Sequence, residues 1–331
     1  MKRAVKILAT GHVLPRQEVL SKDLDKQLGL PQGKLEAVGG VSKRYFAAKD
    51  EYAAKLAAAA AKQALDAAGL TLADIDCLVA TSATMDQGMP SNAALIHAEM
   101  GFSEFAIPAF DINASCLGFL AALDSLTWMM TAGAYKRILL VAADLASCGL
   151  NWNHLESSAI FGDGAAAAIL SSENTQGSQI LASSLRTYSE GAHFCEILAG
   201  GSRFHPSRID QEFAPLTKFH MDGKKVFKLA SQHMPDFTAK LLKDAGKSLQ
   251  DIDWFVPHQA SQLALHHLTK RLNVNPEKVV NIFANYGNQV AASLPTALDI
   301  AIKDGRIQRG HTLMLIGTGA GLSIGGVVLE Y

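Results

Sequence analysis

The chain has 331 residues, 49% of them hydrophobic and 18% charged, which excludes a disordered polymer and points to two units at roughly 150 residues per domain. Its 30 Lys and Arg against 31 Asp and Glu leave a net charge of −1, so no broad nucleic-acid-binding surface is expected. The four cysteines, Cys77, Cys116, Cys148 and Cys195, form no CxxC pair; zinc-ribbon, thioredoxin-like and disulfide-scaffold readings fall away, and a reduced, cytoplasmic protein is expected.

In chain order, Met1 to Leu8 reads as a first strand, because its apolar run is too short for a signal peptide. No uninterrupted apolar stretch approaches the roughly 18–20 residues of a membrane helix. Ala53 to Ala68 predicts a helix from its Ala and Leu content, stopped by Gly69. "CLVATSA" (77–83), "RILLVAADL" (137–145), "WFVPH" (254–258) and "TLMLIGT" (312–318) are apolar on successive residues, as strands covered on both faces should be.

The chain also resembles itself. Residues 61–84, "AKQALDAAGLTLADIDCLVATSAT", and 238–261, "TAKLLKDAGKSLQDIDWFVPHQAS", both run helix, Ala-Gly stop, Asp-Ile-Asp, strand. The same order brings Cys116 onto Ser293, "RILLVAADLA" onto "TLMLIGTGAG", and "FGDGAAAAIL" onto "GLSIGGVVLEY". Two copies of an α/β unit are expected, over residues 1–174 and 175–331, and two such sheets sharing helices give a five-layered sandwich. The copies differ where chemistry could sit: Cys116 faces Ser293, and His258 faces Thr81, so one site assembled between the halves is expected.

"FDINASCLGFLAALD" (110–124) places Cys116 where a strand gives way to a helix. There it is either a small core residue or a nucleophile whose thiolate the helix N-terminus favours and whose oxyanion the free N–H groups hold. The other three cysteines read as structural. His258 follows a strand directly, where α/β folds place ligand-facing groups, or it is a half-buried histidine. Asn288, taken alone, reads as a turn or cap residue. No HExxH occurs, and the adjacent His266 and His267 point apart on a helix, so no metal is expected. "GTGAGLSIGG" (317–326) cannot be a dinucleotide loop, because the chain ends at Tyr331 before a helix and acidic residue could follow.

Taken together, Cys116, His258 in "VPHQAS", Asn288 in "YGNQVAAS" and the terminal Gly-rich loop resemble the thiolase-fold condensing enzymes. Within them, "GHVLP", "GVSKRYFA", "SATMDQGMPS", "FDINASCLGF", "IFGDGAAAAIL", "FHMDGKKVFK" and "GRIQRG" are similar to the β-ketoacyl-acyl-carrier-protein synthase III family across nearly the whole chain. The resemblance implies a thiolase-like fold and a homodimer without metal or other cofactor. It implies that Cys116 takes an acyl group from a thioester and passes it to a malonyl thioester with loss of CO2. His258 and Asn288 would hold the enolate oxygen, and the N–H groups of Cys116 and Ala320 the tetrahedral oxyanion. The alternative is an acyltransferase that uses the same acyl-cysteine without decarboxylation. A non-catalytic partner subunit is disfavoured because Cys116 is present.

The resemblance also marks departures. Lys34 and Val38 stand where acetyl-CoA-primed members carry a Trp and an Arg, and "NWNHLESSA" has no Arg. A longer acyl-CoA or an acyl-carrier-protein thioester is therefore the expected donor. Met89 matches the residue that closes the acyl pocket across the dimer, and its flexible side chain suits variable chains. Lys224, Lys225 and Lys228, with Lys270 and Arg271, are either solvated helix faces or a docking patch for the acidic acyl carrier protein.

Overall fold

The computed structural model describes residues 1–101 and 106–331. Its frame is two sheets. The first holds β1 (Lys6–Val13), β2 (Cys77–Ala80), β3 (Ala109–Asp111), β4 (Arg137–Asp144) and β5 (Gly164–Ser171), in the order β1-β5-β4-β2-β3. The second holds β6 (Gln179–Thr187), β7 (Trp254–Pro257), β8 (Thr312–Gly319) and β9 (Ser323–Glu330), in the order β7-β8-β9-β6. In each, a parallel pair (β2 with β4, β7 with β8) continues into two antiparallel ones, and the first sheet adds a second parallel pair, β2 with β3. The order β2-β4-β5-β1 thus returns as β7-β8-β9-β6.

The repeat extends to single hydrogen bonds and explains Asp-Ile-Asp. Asp74 Oδ2 accepts the Thr71 N–H at 2.8 Å, and Asp251 Oδ2 accepts the Ser248 N–H at 2.7 Å, each closing a capping box. The second aspartate of each motif reaches the next strand: Asp76 accepts from the Arg137 N–H and Asp253 from the Thr312 N–H, both at 2.8 Å.

Six helices complete the layers: α1 (Ala53–Ala68), α2 (Asn92–Glu99), α3 (Gly118–Thr131), α4 (Gly223–Ala245), α5 (Gln262–Arg271) and α6 (Ser293–Lys303). The expected stops are in place, with Gly69 at φ +65° and Gly246 at φ +67°. Successive strand residues face opposite ways, so Leu139 packs under α1 and α2 while Leu140 faces inward. Between the sheets, Leu120, Leu123 and Leu126 of α3 meet Leu294 and Leu298 of α6. Outside the second sheet, Phe237, Leu241 and Leu242 of α4 cover Phe255, Met314 and Val328. The five layers are α1/α2, sheet, α3/α6, sheet, and α4 with α5. This is a thiolase-like sandwich, and it brings the C-terminal ends of β2, β4, β7 and β8 to the first turns of α3 and α6.

Candidate active site

Cys116 sits at a sharp corner. Asn113 Oδ1 accepts the Ser115 N–H at 2.8 Å, Ser115 takes a left-handed φ of +51°, and α3 begins only at Gly118. The cysteine therefore lies two residues ahead of the helix rather than in its first turn. Its thiol differs from the expected activated one: burial, and then the charge of Asp144, push it up to about 12. The backbone N–H groups of Ala320 and of Cys116 itself pull the other way. These are the two donors named for the oxyanion, and both address the sulfur. Desolvation outweighs them because a thiolate taken from water loses more than two amide dipoles return.

His258 directly follows β7, where its backbone N–H bonds the carbonyl of Ile316 on β8 at 2.8 Å. A Cβ on Gly317 would lie 2.6 Å from the His258 Cβ and 3.2 Å from a Leu117 methyl, so a residue without a side chain is required there. The imidazole is 4% exposed, and burial pushes it down to about 4, so it is neutral near pH 7. It carries one N–H donor, and its Nδ1 has no protein partner. Thr81, its counterpart in the first half, is fully buried and bonds the Val141 carbonyl at 3.2 Å.

Asn288 is held on every side. Its N–H bonds Ile160 O at 2.7 Å, and its Nδ2 donates to Ala260 O at 3.2 Å, two residues past His258. Its Oδ1 accepts from the Val290 N–H at 2.8 Å and the Ser293 hydroxyl at 3.3 Å. That leaves the amide one unused N–H. Behind it, buried Arg44 donates to Ala159 O at 2.5 Å and Phe161 O at 3.3 Å, bracing the segment Asn288 bonds.

Cys116 packs into an apolar cluster with Phe161, Leu265, Trp152, Phe219 and Met221. Phe219 and Met221 also line a cleft of about 370 Å³ with Lys34, Val38, His154, Glu156 and His220. The structure thus brings Lys34 and Val38 to the Arg-free segment 151–159, in a mouth with one lysine and one glutamate.

The remaining residues lie apart. Met89 is 85% exposed. Lys224, Lys225 and Lys228 are exposed on the first turns of α4, with Lys225 paired to Asp222 at 2.9 Å. Lys270 and Arg271 are exposed at the end of α5. Phe227 on His267, with ring centroids 4.4 Å apart, joins the two helices. Cys77 is buried in the first sheet, Cys195 is partly buried near Cys116, and Cys148 is exposed rather than packed, because it sits on a one-turn helix outside the sheet. Among the described residues no cluster of His, Cys, Asp or Glu suits a metal ion, and no helix is long and apolar enough to cross a membrane.

Two residues behind the site carried no assigned role in the sequence: Asp144 and Ser293. The signal for Asp144 was a single acid closing an apolar strand, "RILLVAAD".

Two family profiles described as 3-oxoacyl-[acyl-carrier-protein (ACP)] synthase III match residues 110–189 and, for its C-terminal part, 242–331. A β-ketoacyl-[acyl-carrier-protein] synthase III of Neisseria meningitidis is 34% identical over 326 residues, 98% of this chain and 99% of that protein. The chain belongs to the β-ketoacyl-acyl-carrier-protein synthase III family. Solved synthase III structures agree: that of Aquifex aeolicus is 30% identical with a TM-score of 0.88, covering 99% of this chain and 100% of that one. That of Pseudomonas aeruginosa is 31% identical with a TM-score of 0.88, covering 99% and 98%. Membership makes the protein a condensing enzyme of the acyltransferase class.

Proposed function

We propose that the protein condenses an acyl group held on Cys116 with a malonyl thioester, losing CO2, and that acyl carrier protein delivers the malonyl unit. The observations that carry this reading are a cysteine whose thiolate two backbone N–H groups favour, and two neutral donors, His258 and Asn288, linked through the Ala260 carbonyl.

In the first half-reaction the Cys116 sulfur bonds the thioester carbonyl carbon, and the carbon–sulfur bond to the carrier breaks. The Cys116 proton ends on the departing thiol. The Cys116 and Ala320 N–H groups hold the tetrahedral oxyanion, a contact whose loss typically costs about 3–4 kcal/mol of barrier. In the second, the electron pair of the breaking C–CO2 bond forms an enolate, whose oxygen accepts from the His258 N–H and the unused N–H of Asn288. The enolate carbon then bonds the acyl carbon and Cys116 leaves. Neutral donors suit this step, because a cation would hold the malonyl carboxylate in place. No cofactor enters either half-reaction.

We propose that Lys224, Lys225, Lys228, Lys270 and Arg271 form the face that receives the acidic carrier protein, near the cleft that would pass the pantetheine arm to Cys116. The single lysine and glutamate of that cleft favour a donor other than acetyl-CoA. A homodimer fits β3 at the sheet edge and the exposed Met89, which would close the partner's acyl pocket. The boundary between the halves falls at residues 174 and 175, between β5 and β6, and a cytoplasmic location accords with the substrates.

Intact-protein mass spectrometry tests the reading. Incubation with acyl-CoAs and acyl-carrier-protein thioesters of graded length should add one acyl mass, absent in Cys116→Ala. No adduct with any donor would reject it.

A further inference from the structure

Behind Asn288 lies a polar frame that the reaction itself does not touch. Asp144, the last residue of β4, is fully buried and forms no salt bridge among the described residues. Burial pushes its carboxyl up to about 7, and four donors pull the other way. Oδ1 accepts from the Ala83 N–H at 2.8 Å, the Thr84 N–H at 2.7 Å and the Thr84 hydroxyl at 2.9 Å, and Oδ2 accepts from the Ala291 N–H at 2.9 Å. The first three belong to the loop after β2, in the first half of the chain. The fourth belongs to the Asn288 turn, in the second.

That turn is strained. Val290 has a φ of +53°, a left-handed conformation that a β-branched residue resists. Two contacts flank the strained residue: its own N–H is taken by Asn288 Oδ1, and the next N–H by Asp144. Ser293 supplies a third tie. It is fully buried, accepts the Gln289 N–H at 2.8 Å, and donates to Asn288 Oδ1. Ser293 occupies the position that Cys116 occupies in the first copy of the repeat, so the nucleophile's counterpart has become part of the scaffold.

With both acceptor sites of Oδ1 occupied, the amide cannot turn over without losing two hydrogen bonds. Nδ2 is thereby kept toward Ala260 and the His258 side of the pocket. We propose that Asp144 and Ser293 are positioning residues that aim the Asn288 amide at the enolate oxygen, with Asp144 tying that amide to the half of the chain that carries Cys116. The inference rests on the proposed condensation. It assigns their aiming role to the malonyl half-reaction; the donors of acylation are backbone N–H groups elsewhere, and Asp144 reaches Cys116 only through its charge.

The two half-reactions separate the outcomes. Wild-type protein, Asp144→Asn and Ser293→Ala are compared in single-turnover acylation of Cys116, followed by mass spectrometry, and in malonyl-thioester decarboxylation. Asp144→Asn keeps the shape and one oxygen but turns an N–H donor toward the Ala291 N–H or toward the Thr84 side. Ser293→Ala removes one oxygen atom, so it remains informative if the first variant does not fold. In folded variants decarboxylation kcat should fall about 10- to 100-fold, below the loss of a whole oxyanion donor, while KM for the malonyl thioester stays within about threefold. Acylation should stay within about threefold in Ser293→Ala, whereas Asp144→Asn also removes a carboxylate that raises the Cys116 thiol and should not slow acylation. Equal loss in both half-reactions, or undiminished decarboxylation by folded Ser293→Ala, would overturn the inference alone. A wild-type protein that neither acylates nor decarboxylates would overturn the proposed function, and this inference with it.

Discussion

The backbone N–H of Ala320, just past β8, is directed at the sulfur of Cys116. The terminal Gly-rich loop of the second half thus supplies a donor to the nucleophile of the first. Backbone donors of this kind cost no reorganisation when charge develops, and no side-chain substitution removes them. The Cys116 thiol nevertheless stays protonated in the resting protein, because burial and the Asp144 charge prevail.

That balance sets the reactivity of Cys116 toward alkylation. With the thiol near 12, its rate with iodoacetamide should rise about tenfold per pH unit between about pH 7 and pH 9. A plateau within that range would mean that the thiolate is already formed and that the two N–H groups outweigh burial.

His258 should leave a different signature. An ordinary imidazole titrates near about 6.5, whereas burial holds this one at about 4. His258 should therefore contribute no step to malonyl decarboxylation between about pH 8 and about pH 5.5, where any fall belongs to Asp144, held near about 7 by burial. Its own loss should come only as pH approaches 4. The stability consequence of His258 has a definite sign. Between about 6.5 and about 4 the unfolded chain binds a proton that the folded chain does not, so this contribution is complete above about 6.5 and is lost progressively as pH falls toward 4. Urea unfolding midpoints for wild type and His258→Gln across that range would show it as a pH dependence weakened in the variant.

Gly317 tests how tightly the site is built. In Gly317→Ala the new methyl would stand 2.6 Å from the His258 Cβ, and one strand end must move. A destabilisation of about 1–3 kcal/mol is expected, with a larger loss in condensation than in Cys116 acylation. Thermal unfolding beside the two half-reaction assays would detect both.

Charge reversal at Lys270 and Arg271 should raise KM for a malonyl-carrier-protein substrate about 3- to 10-fold at low salt, because rim charges chiefly govern encounter. The difference should shrink as salt is added. KM for malonyl-CoA should not follow it. Equal effects on both substrates would place the damage in the site rather than on a docking face.

Much of this architecture could be read from the residues. The helix from Ala53 to Ala68 has the bounds its composition and Gly69 suggest, and the Asp-Ile-Asp copies mark equivalent hydrogen bonds in the two halves. Strands 77–80 and 254–257 stand in equivalent places because their apolar runs and the turns before them repeat. Other features were closed to inspection. Nothing local says that Ser115 adopts a left-handed backbone, and it is this corner that sets Cys116 ahead of α3. The thiol's titration depends on what buries it from other segments, which the helix-start argument alone does not see. Asp144 and Ser293 look like one buried acid and one small residue until the fold places them on either side of Asn288. Lys34, Val38 and residues 153–157 are more than a hundred positions apart in sequence, and only the fold makes them one mouth.

The outer face of the first sheet is lined with alanine: Ala57, Ala60, Ala61 and Ala64 of α1 lie against Ala165 and Ala167 of β5, all fully buried. With so little side chain between them, helix and sheet sit nearly backbone to backbone, and the gap has no slack to absorb an added methyl group. A larger residue there would be felt as displacement of β5 and of its hydrogen-bonded neighbour β4, whose final residue is Asp144. The quiet side of the sheet is in this sense a gauge block for the reactive side. Laboratory selection for altered activity should find second-site changes among these alanines, although none of them comes near a substrate.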